Sequence, residues 1–216
     1  MIFDWYQAGV EHRPEIVLGT LQTHFDQADV EPDKPANGYE QAAKVTRGHT
    51  VLARVQWGGN TGQRVQVKAT GSDAPPLADL CRTTWAQDHV IQRVDVAEDY
   101  DEPEGFHILT STALNLADRY NLNTNYQGDW HRGQSRTLYV GSRQSPVMLR
   151  IYEKGHQLRQ DGIDRSASLD RVRVEYEFKP KREKARRLYA FIEPHEMIGG
   201  SQWTRDLVAC IHGLTL

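Results

Sequence analysis

The 216-residue chain lacks most features of secreted, membrane or disulfide-rich proteins. Its only cysteines, Cys81 and Cys210, lie far apart, which favours buried thiols in a reducing compartment over a disulfide framework. No apolar run approaches the roughly 18 residues that a membrane-spanning helix needs. The start at Met1 lacks the basic region and cleavage site of a secretory signal. We therefore expect a cytoplasmic protein without a membrane partner.

Several catalytic signatures are missing as well. There is no H-x-H pair, no H-E-x-x-H and no cysteine pair at metal spacing, so a zinc site has no support. We expect His107, His131 and His195 to be surface or capping residues. The sequence also has no G-x-x-x-x-G-K-[ST] loop and no G-x-S-x-G elbow, which argues against nucleotide hydrolysis and serine-hydrolase chemistry.

The chain has little excess charge, with a formal net charge of −3, but its charge is unevenly distributed. Residues 131–190 hold 15 lysines and arginines against 7 acids, and the remainder holds 11 against 22. Binding to phosphates depends on local potential more than on the total. The basic region therefore suggests a nucleic-acid partner. The run 181–187 by itself is equally consistent with a solvated helix face.

Three short segments, 93–99, 148–154 and 171–179, alternate apolar and polar residues with the period of a β-strand. If the apolar sides are buried together, the opposite face collects carboxylates, a tyrosine, a lysine and several arginines. The apolar set is Val94, Val96, Leu149, Ile151, Val172, Val174, Tyr176 and Phe178. The mixture on the polar side is what metal-assisted phosphoryl transfer requires.

The acids of these segments are candidate metal ligands. Asp95 and Glu175 could approach from neighbouring strands and share Mg²⁺ or Mn²⁺, which prefer oxygen ligands. Glu177 and Asp99 are possible additional ligands, although a two-residue step moves roughly 7 Å along a strand. The alternative is that each acid is a surface carboxylate paired with a nearby arginine, and this stays open.

Tyr152 is a candidate nucleophile. Its parity opposes the apolar residues of its strand, and Arg150 and Lys154 lie two positions to either side. A phenol has a pKa near 10, so it needs a nearby cation or base to react at neutral pH. Tyr139 is the main rival, and Tyr176 has core parity. The turn after Tyr139, with Arg143, could hold a phosphate or merely close the hairpin.

The order of the elements predicts an α+β domain. We predict a hairpin of strands 50–57 and 63–70, with its turn at 58–62. A second hairpin joins 137–141 to 148–154. The predicted helices follow Pro75 and Pro76 and cover 106–120, 181–190 and 201–214, while 27–39, 98–104 and 155–169 read as loops. The fold would be a single domain over 1–216, with an antiparallel sheet, helices on one face and the other face open.

Four ordered motifs resemble the replication initiation factor family, the rolling-circle initiators of plasmids and filamentous phages. They are RVDVAED (93–99), TLYVGSRQS (137–145), RIYEKG (150–155) and RVEYEF (173–178). The opening IFDWYQA and the closing WTRDL (203–207) are similar to phage-type members.

The resemblance implies an origin-specific DNA nicking and joining enzyme, related to HUH endonucleases but without their histidine pair. Tyr152 of its Y-x-K element would be the nucleophile, with Lys154 beside it, while Asp95 and Glu175 would bind the metal. The implied fold is a central antiparallel sheet of about five strands with flanking helices. Origin DNA would be the partner, in a bacterial host cell, and host helicase, host polymerase and a homodimer are further possibilities.

We predict that DNA is bound by six basic residues and gripped by two mobile basic segments, 155–169 and 181–187. The six residues are Arg93, Arg143, Arg150, Arg173, Lys181 and Arg182. Two alternatives to the nickase remain at this stage. One is a metal-dependent nuclease that uses activated water, and the other is a DNA-binding repressor without catalytic activity.

Overall fold

A computed structural model describes residues 1–59 and 62–213 of the chain. The chain divides into two compact units. The Tyr152 unit contains residues 1–2, 96–178 and 193 onward, and the N-terminal unit contains residues 3–95 and 179–192. The single domain predicted over 1–216 stays a prediction.

The described chain contains ten strands and seven α-helices. The strands are β1 (Ile2–Val10), β2 (Asp29–Pro32), β3 (Gln41–Arg47), β4 (Thr50–Trp57), β5 (Val65–Thr70), β6 (His89–Asp101), β7 (Thr124–Asp129), β8 (Gln134–Val140), β9 (Val147–Tyr152) and β10 (Arg171–Phe178). The helices are α1 (Pro14–His24), α2 (Ala74–Thr83), α3 (Gly105–Arg119), α4 (Lys154–Gln160), α5 (Glu183–Tyr189), α6 (Pro194–Met197) and α7 (Gln202–Gly213).

The α+β class with a large antiparallel sheet is confirmed, but the predicted strand number is wrong. The strand order is β2-β3-β4-β5-β1-β6-β10-β9-β8-β7, so the sheet among the described residues has ten strands rather than about five. The long strand β6 contributes residues 89–95 to the N-terminal unit and residues 96–101 to the Tyr152 unit.

In the Tyr152 unit, β10, β9, β8 and β7 pair antiparallel in that order. Leu138, Leu149, Ile151, Val172 and Val174 are buried on one face, as the alternation predicts. Helix α3 packs against β8, β9 and β10, and α7 packs on α3. Because helices cover the apolar side, the polar side chains of β9 and β10 project from the opposite side of these strands.

In the N-terminal unit, the order β2-β3-β4-β5-β1 is also antiparallel. Helix α1 packs on β2, β3 and β4, and α2 packs on β5. Both helices carry proline in the first turn, where the missing N–H has no partner to lose. Their buried residues, among them Val17, Leu21, Leu77 and Cys81, meet the apolar side of the sheet.

Most elements with a regular pattern occur where the sequence predicts them. Both hairpins form, although Asn60 and Thr61 of the first turn lie outside the described residues. The helices predicted at 106–120, 181–190 and 201–214 correspond to α3, α5 and α7, and Leu214 is outside the described part. The predicted loops were partly wrong, because 27–39 contains β2, 98–104 continues β6, and 155–169 contains most of α4. No helix in the described ranges is long and apolar enough to cross a membrane.

Candidate active site

Tyr152 is the last residue of β9 and lies between two strands. Its register partners are Arg173 on β10 and Thr137 on β8, and directly opposed residues project from the same face. The side chain is partly buried. Its hydroxyl Oη donates a hydrogen bond to Oε2 of Glu175, at 3.3 Å. The structure therefore brings together a predicted nucleophile and a predicted metal ligand.

Glu175 also accepts a hydrogen bond from Arg150, whose guanidinium binds Oε1 of the same carboxylate. Arg150 is the direct register partner of Glu175, so the pairing follows from the strand register. One carboxylate thus holds the phenol on one oxygen and a cation on the other. Hydrogen bonds in which the donor or the acceptor is ionised are stronger than hydrogen bonds between neutral groups.

The expectation that this polar face is open is wrong at the acidic positions. Glu175 and Asp95 are each 1% exposed, and Glu177 is 4% exposed. Alternation predicts which side of a strand a residue takes, but not what covers that side. Carboxylates buried to this extent require charged or hydrogen-bonding neighbours, because burying an unpaired charge is costly.

Lys154 lies close to Tyr152, as the sequence predicts. It is the first residue of α4, and its Nζ lies 5.7 Å from the centroid of the Tyr152 ring. The same ammonium donates to Oε1 of Gln157 at 3.1 Å. The lysine is therefore close enough to stabilise negative charge that develops on the phenol.

Gly155 was given no role from the sequence, yet it lies in the first turn of α4 at a close approach between two backbone segments. A side-chain carbon at Gly155 would lie 1.7 Å from the carbonyl oxygen of Ser168, so this backbone approach requires glycine. Arg159, further along α4, donates to the carbonyl of Ala167 at 2.7 Å. The segment around Ser168 therefore holds the helix that carries Lys154. The only sequence signal was the glycine directly after the Y-x-K element.

The other predicted ligand on this side, Asp99, is engaged by an arginine. Arg173 donates to it through Nε at 2.5 Å and through Nη2 at 2.8 Å. Arg171 and Asp101 form a second, longer pair at 3.4 Å. These contacts agree with the alternative that an acid of this face pairs with a nearby arginine.

Rival tyrosines of the Tyr152 unit differ from Tyr152 in their surroundings. Tyr139 donates its hydroxyl to Oε1 of Gln127, an uncharged acceptor, at 3.1 Å. Burial raises the pKa of Tyr176, which is 2% exposed and part of the core as its parity predicts. Burial and a hydrogen bond to Glu98 raise the pKa of Tyr100. A raised phenol pKa lowers the phenolate fraction, so these two are poor nucleophiles.

Asp95 belongs to the N-terminal unit, where Arg93 binds both of its oxygens. The distances are 2.8 Å from Nε to Oδ1 and 2.5 Å from Nη2 to Oδ2, a bidentate pair. The Arg93 guanidinium also lies 4.1 Å from the ring centroid of Trp5. The remaining predicted DNA-binding residues, Arg143, Lys181 and Arg182, are exposed.

The predicted metal ligands have suitable chemistry, but they do not form a complete ligand group in the described residues. Asp95, Glu175 and Glu177 carry the oxygen donors that Mg²⁺ and Mn²⁺ prefer. Across residues 1–59 and 62–213, however, no group of three or more histidine, cysteine or acidic side chains could hold an ion. The donor chemistry fits a hard cation, but the protein residues alone do not complete a coordination shell.

A polar sheet face that carries tyrosine, lysine and arginine-paired acids is the kind of site that phosphoryl transfer uses. The model of the family described as replication initiation factor matches residues 86–193, half of the chain. This segment contains β6, Tyr152, Lys154 and β10. The chain therefore belongs to the replication initiation factor family.

The fold is similar to that of a solved structure, the rolling circle replication initiator protein from Geobacillus stearothermophilus. The two share 17% identity with a TM-score of 0.61, over 92% of this chain and 82% of that one. At this identity the likeness concerns the fold. No curated protein matches the sequence.

Proposed function

We propose that this protein is a rolling-circle initiator that nicks and rejoins single-stranded DNA at a replication origin. Membership of the replication initiation factor family supports a role in initiation. The rolling-circle mode is supported by the motifs 93–99, 137–145, 150–155 and 173–178 and by the similar initiator fold. The contact that carries the proposal is the hydrogen bond from the Tyr152 hydroxyl to Glu175.

In the proposed reaction, the phenol oxygen of Tyr152 attacks the phosphorus of one phosphodiester. A bond forms between that oxygen and phosphorus, the bond from phosphorus to the 3′ oxygen breaks, and the 3′ oxygen takes up a proton. The products are a 5′-phosphotyrosine ester and a free 3′-hydroxyl that primes synthesis. Reversal by a later 3′-hydroxyl closes the strand, and because one ester replaces another, no external energy source is needed.

Glu175 is suited to take the phenol proton, since its Oε2 already accepts the hydrogen bond. Lys154, whose Nζ lies 5.7 Å from the centroid of the Tyr152 ring, would stabilise the developing phenolate. Arg150 keeps the carboxylate in place through its other oxygen. This division of roles follows from the geometry of two adjacent strands and the first turn of α4.

We include a divalent cation, Mg²⁺ or Mn²⁺, in the proposal. Its predicted ligands remain Asp95, Glu175 and Glu177, and when bound it would offset charge on the phosphate oxygens. Mg²⁺ is often held by one or two carboxylates, with water and substrate phosphate completing its shell. That arrangement is compatible with the lack of a three-ligand group in the described residues.

The proposed partner is origin DNA in a bacterial cytoplasm, with host helicase and polymerase acting on the nicked product. Arg93, Arg143, Arg150, Arg173, Lys181 and Arg182 remain the predicted DNA-binding residues. A homodimer is also part of this proposal, by the same resemblance to the initiator family.

The test is a Tyr152→Phe substitution, assayed with a 5′-labelled and a 3′-labelled origin oligonucleotide on denaturing gels. We expect the wild type to form a covalent protein–DNA adduct with Mn²⁺ and the variant to form none, while DNA binding persists. Tyr139→Phe is the matched control and should form the adduct normally. Cleavage without an adduct would favour a nuclease that uses water, and binding without any cleavage would favour a repressor.

A further inference from the structure

The sheet of the N-terminal unit carries a row of cations across three neighbouring strands. Lys44 on β3 is directly opposite Arg54 on β4, and Arg54 is directly opposite Lys68 on β5. Opposed residues project from the same face, and adjacent strands lie about 4.8 Å apart. We call Lys44, Arg54 and Lys68 the cation row.

Three cations on one face of neighbouring strands lower the stability of the fold unless anions balance their charge. Like charges directly opposite one another on a sheet are destabilising. Lys44 is paired with Glu31 at 2.8 Å, and Arg54 is paired with Asp33. Lys68, between Arg54 and β1, has no ion-pair partner among residues 1–59 and 62–213.

The surroundings of Lys68 make its charge costly. The side chain is partly buried, which removes water from the ammonium. A cation–π contact with Trp5, 4.9 Å from Nζ to the ring centroid, offsets part of this cost but is not an ion pair. Burial lowers the pKa of Lys68, and the positive charges of Arg54 and Arg93 lower it further, while the negative charge of Asp33 acts in the opposite direction. A partly buried cation in a positive environment gains most from an anion placed beside it.

A rigid support lies next to the row. Gln66, two positions before Lys68 on β5, receives a hydrogen bond from Gln56 at 2.9 Å and donates one to Gln92 at 2.8 Å. Gln56 in turn accepts from the backbone of Ala36 at 2.8 Å, and Tyr39 accepts from Gln66 at 3.2 Å. These bonds hold the segment 33–39 against the sheet, so the row needs little reorganisation to receive a ligand.

We propose that the cation row binds the phosphodiester backbone of the single-stranded DNA that the enzyme cuts, with Lys68 as its main contact. The identification of the bound DNA as the strand that is cut rests on the proposed function. Contacts with phosphates position DNA without reading its sequence. The row therefore contributes affinity and salt dependence, while the chemistry depends on Tyr152.

The test measures binding of a labelled 30-nucleotide polythymidine strand by anisotropy across a series of salt concentrations. Full-length chains with Tyr152→Phe are used, so that no covalent product forms. Lys68→Met should weaken binding about three- to tenfold at low salt and reduce the salt slope by about 0.7, the value for one lost phosphate contact on single strands. Lys68→Arg should retain both affinity and slope.

Arg47→Met is the matched control, because it removes one positive charge from β3 outside the row, where Arg47 pairs with Asp26. It should leave both affinity and slope unchanged. Thermal unfolding of Lys68→Met should occur no lower than that of the parent, since a costly charge has been replaced by an apolar side chain of similar length. Weakened binding therefore cannot be attributed to misfolding.

The proposal is overturned if Lys68→Met binds with the same affinity and slope as the Arg47→Met control, or if the parent protein does not bind the strand. The adduct assay with Tyr152 intact is a separate measurement. Loss of binding in Lys68→Met together with no adduct from the wild type would support the row and reject the nicking function. A normal adduct together with unchanged binding would reject the row alone.

Discussion

The polar faces of the two units differ in how their charges are balanced. In the Tyr152 unit, Arg150 pairs with Glu175, and Arg173 pairs with Asp99. In the N-terminal unit, Lys68, at the β5 end of the cation row, has no acid within ion-pair distance in the described residues. The first face is neutralised from within the protein, whereas the second has surplus positive charge.

The difference in charge balance suits the two faces to different roles, orientation of a reacting group on one and attraction of an anion on the other. A neutralised face can keep a phenol hydrogen-bonded and oriented, because Arg150 fixes the Glu175 carboxylate that accepts the bond. A face with surplus charge attracts an anion but does not select among anions. Under the two proposals, alternating strands supply both the reaction site and the binding surface, and the pairing of the charges distinguishes the two.

The largest expected effect on stability comes from removing one charge of an ion pair on the polar face of the Tyr152 unit. Glu175→Ala should lower the free energy of unfolding by about 2–4 kcal/mol, since it removes the carboxylate that Arg150 binds, and Arg150 is only partly exposed. Urea unfolding followed by circular dichroism measures this change. Lys68→Met, on the other face, should cause no loss of stability.

A double variant sharpens this prediction. Glu175→Ala combined with Arg150→Met removes both charges, and replacing a buried ion pair by apolar side chains is often neutral. We expect the double variant to recover a large part of the stability that Glu175→Ala loses. Equal losses in the single and double variants would mean that the pair does not balance the charge of this face.

The parts of the fold that follow a regular period could be predicted from the sequence. Segments 148–154 and 171–179 alternate cleanly and form β9 and β10. Strand β7 was missed because its residues are exposed almost throughout, so no apolar period marks it. Helix α4 was missed because Gly155 and the polar residues after it are typical of a loop, which is what was predicted for 155–169.

The sequence predicts which residues form the candidate site, but it does not predict which arginine pairs with which acid. The period of two predicts that Tyr152, Arg150 and Glu175 share a face. Which arginine meets which acid depends on strand register, and register is set by long-range pairing that the sequence does not reveal. The cation row was missed although the β4–β5 hairpin was predicted, because hairpin register depends on the geometry of the turn, and Arg54 and Lys68 become neighbours only once β4 and β5 are aligned.

A smaller effect should follow from substituting Gly155 in the Tyr152 unit. Gly155→Ala would force a methyl group against the carbonyl of Ser168, and overpacking of this kind costs about 1–3 kcal/mol. We also expect a lower rate of adduct formation, because the helix that carries Lys154 must shift. Chemical denaturation and single-turnover adduct formation measure the two effects.

Gly19 in α1 of the N-terminal unit is the matched control for Gly155. No atom lies within 4 Å of where its added carbon would be, so there is room for a methyl group. Alanine is favoured over glycine in a helix interior by roughly 0.5–1 kcal/mol. Gly19→Ala should therefore stabilise the protein without changing the adduct rate. Equal effects of the two substitutions would mean that the contact with Ser168 does not position Lys154.

The smallest effect concerns pH and should be confined to the N-terminal unit. His89 is 1% exposed, with Nδ1 at 2.8 Å from the carbonyl oxygen of Trp85 and Nε2 at 3.3 Å from the Tyr6 hydroxyl. Nδ1–H donates to the carbonyl, so the neutral ring accepts from Tyr6 through Nε2. Burial lowers the pKa of His89, and the nearby charge of Arg82 lowers it further, although Asp88 acts in the opposite direction.

The sign of this pH effect follows from proton linkage. The unfolded chain binds a proton near pH 6.5, while folded His89 binds it only at lower pH. Stability is therefore complete above pH 6.5 and decreases as the pH falls from there through the folded pKa of His89. His89→Gln should flatten the pH dependence of unfolding in this window. If His89→Gln keeps the wild-type profile, the sensitivity of folding to acid does not come from His89.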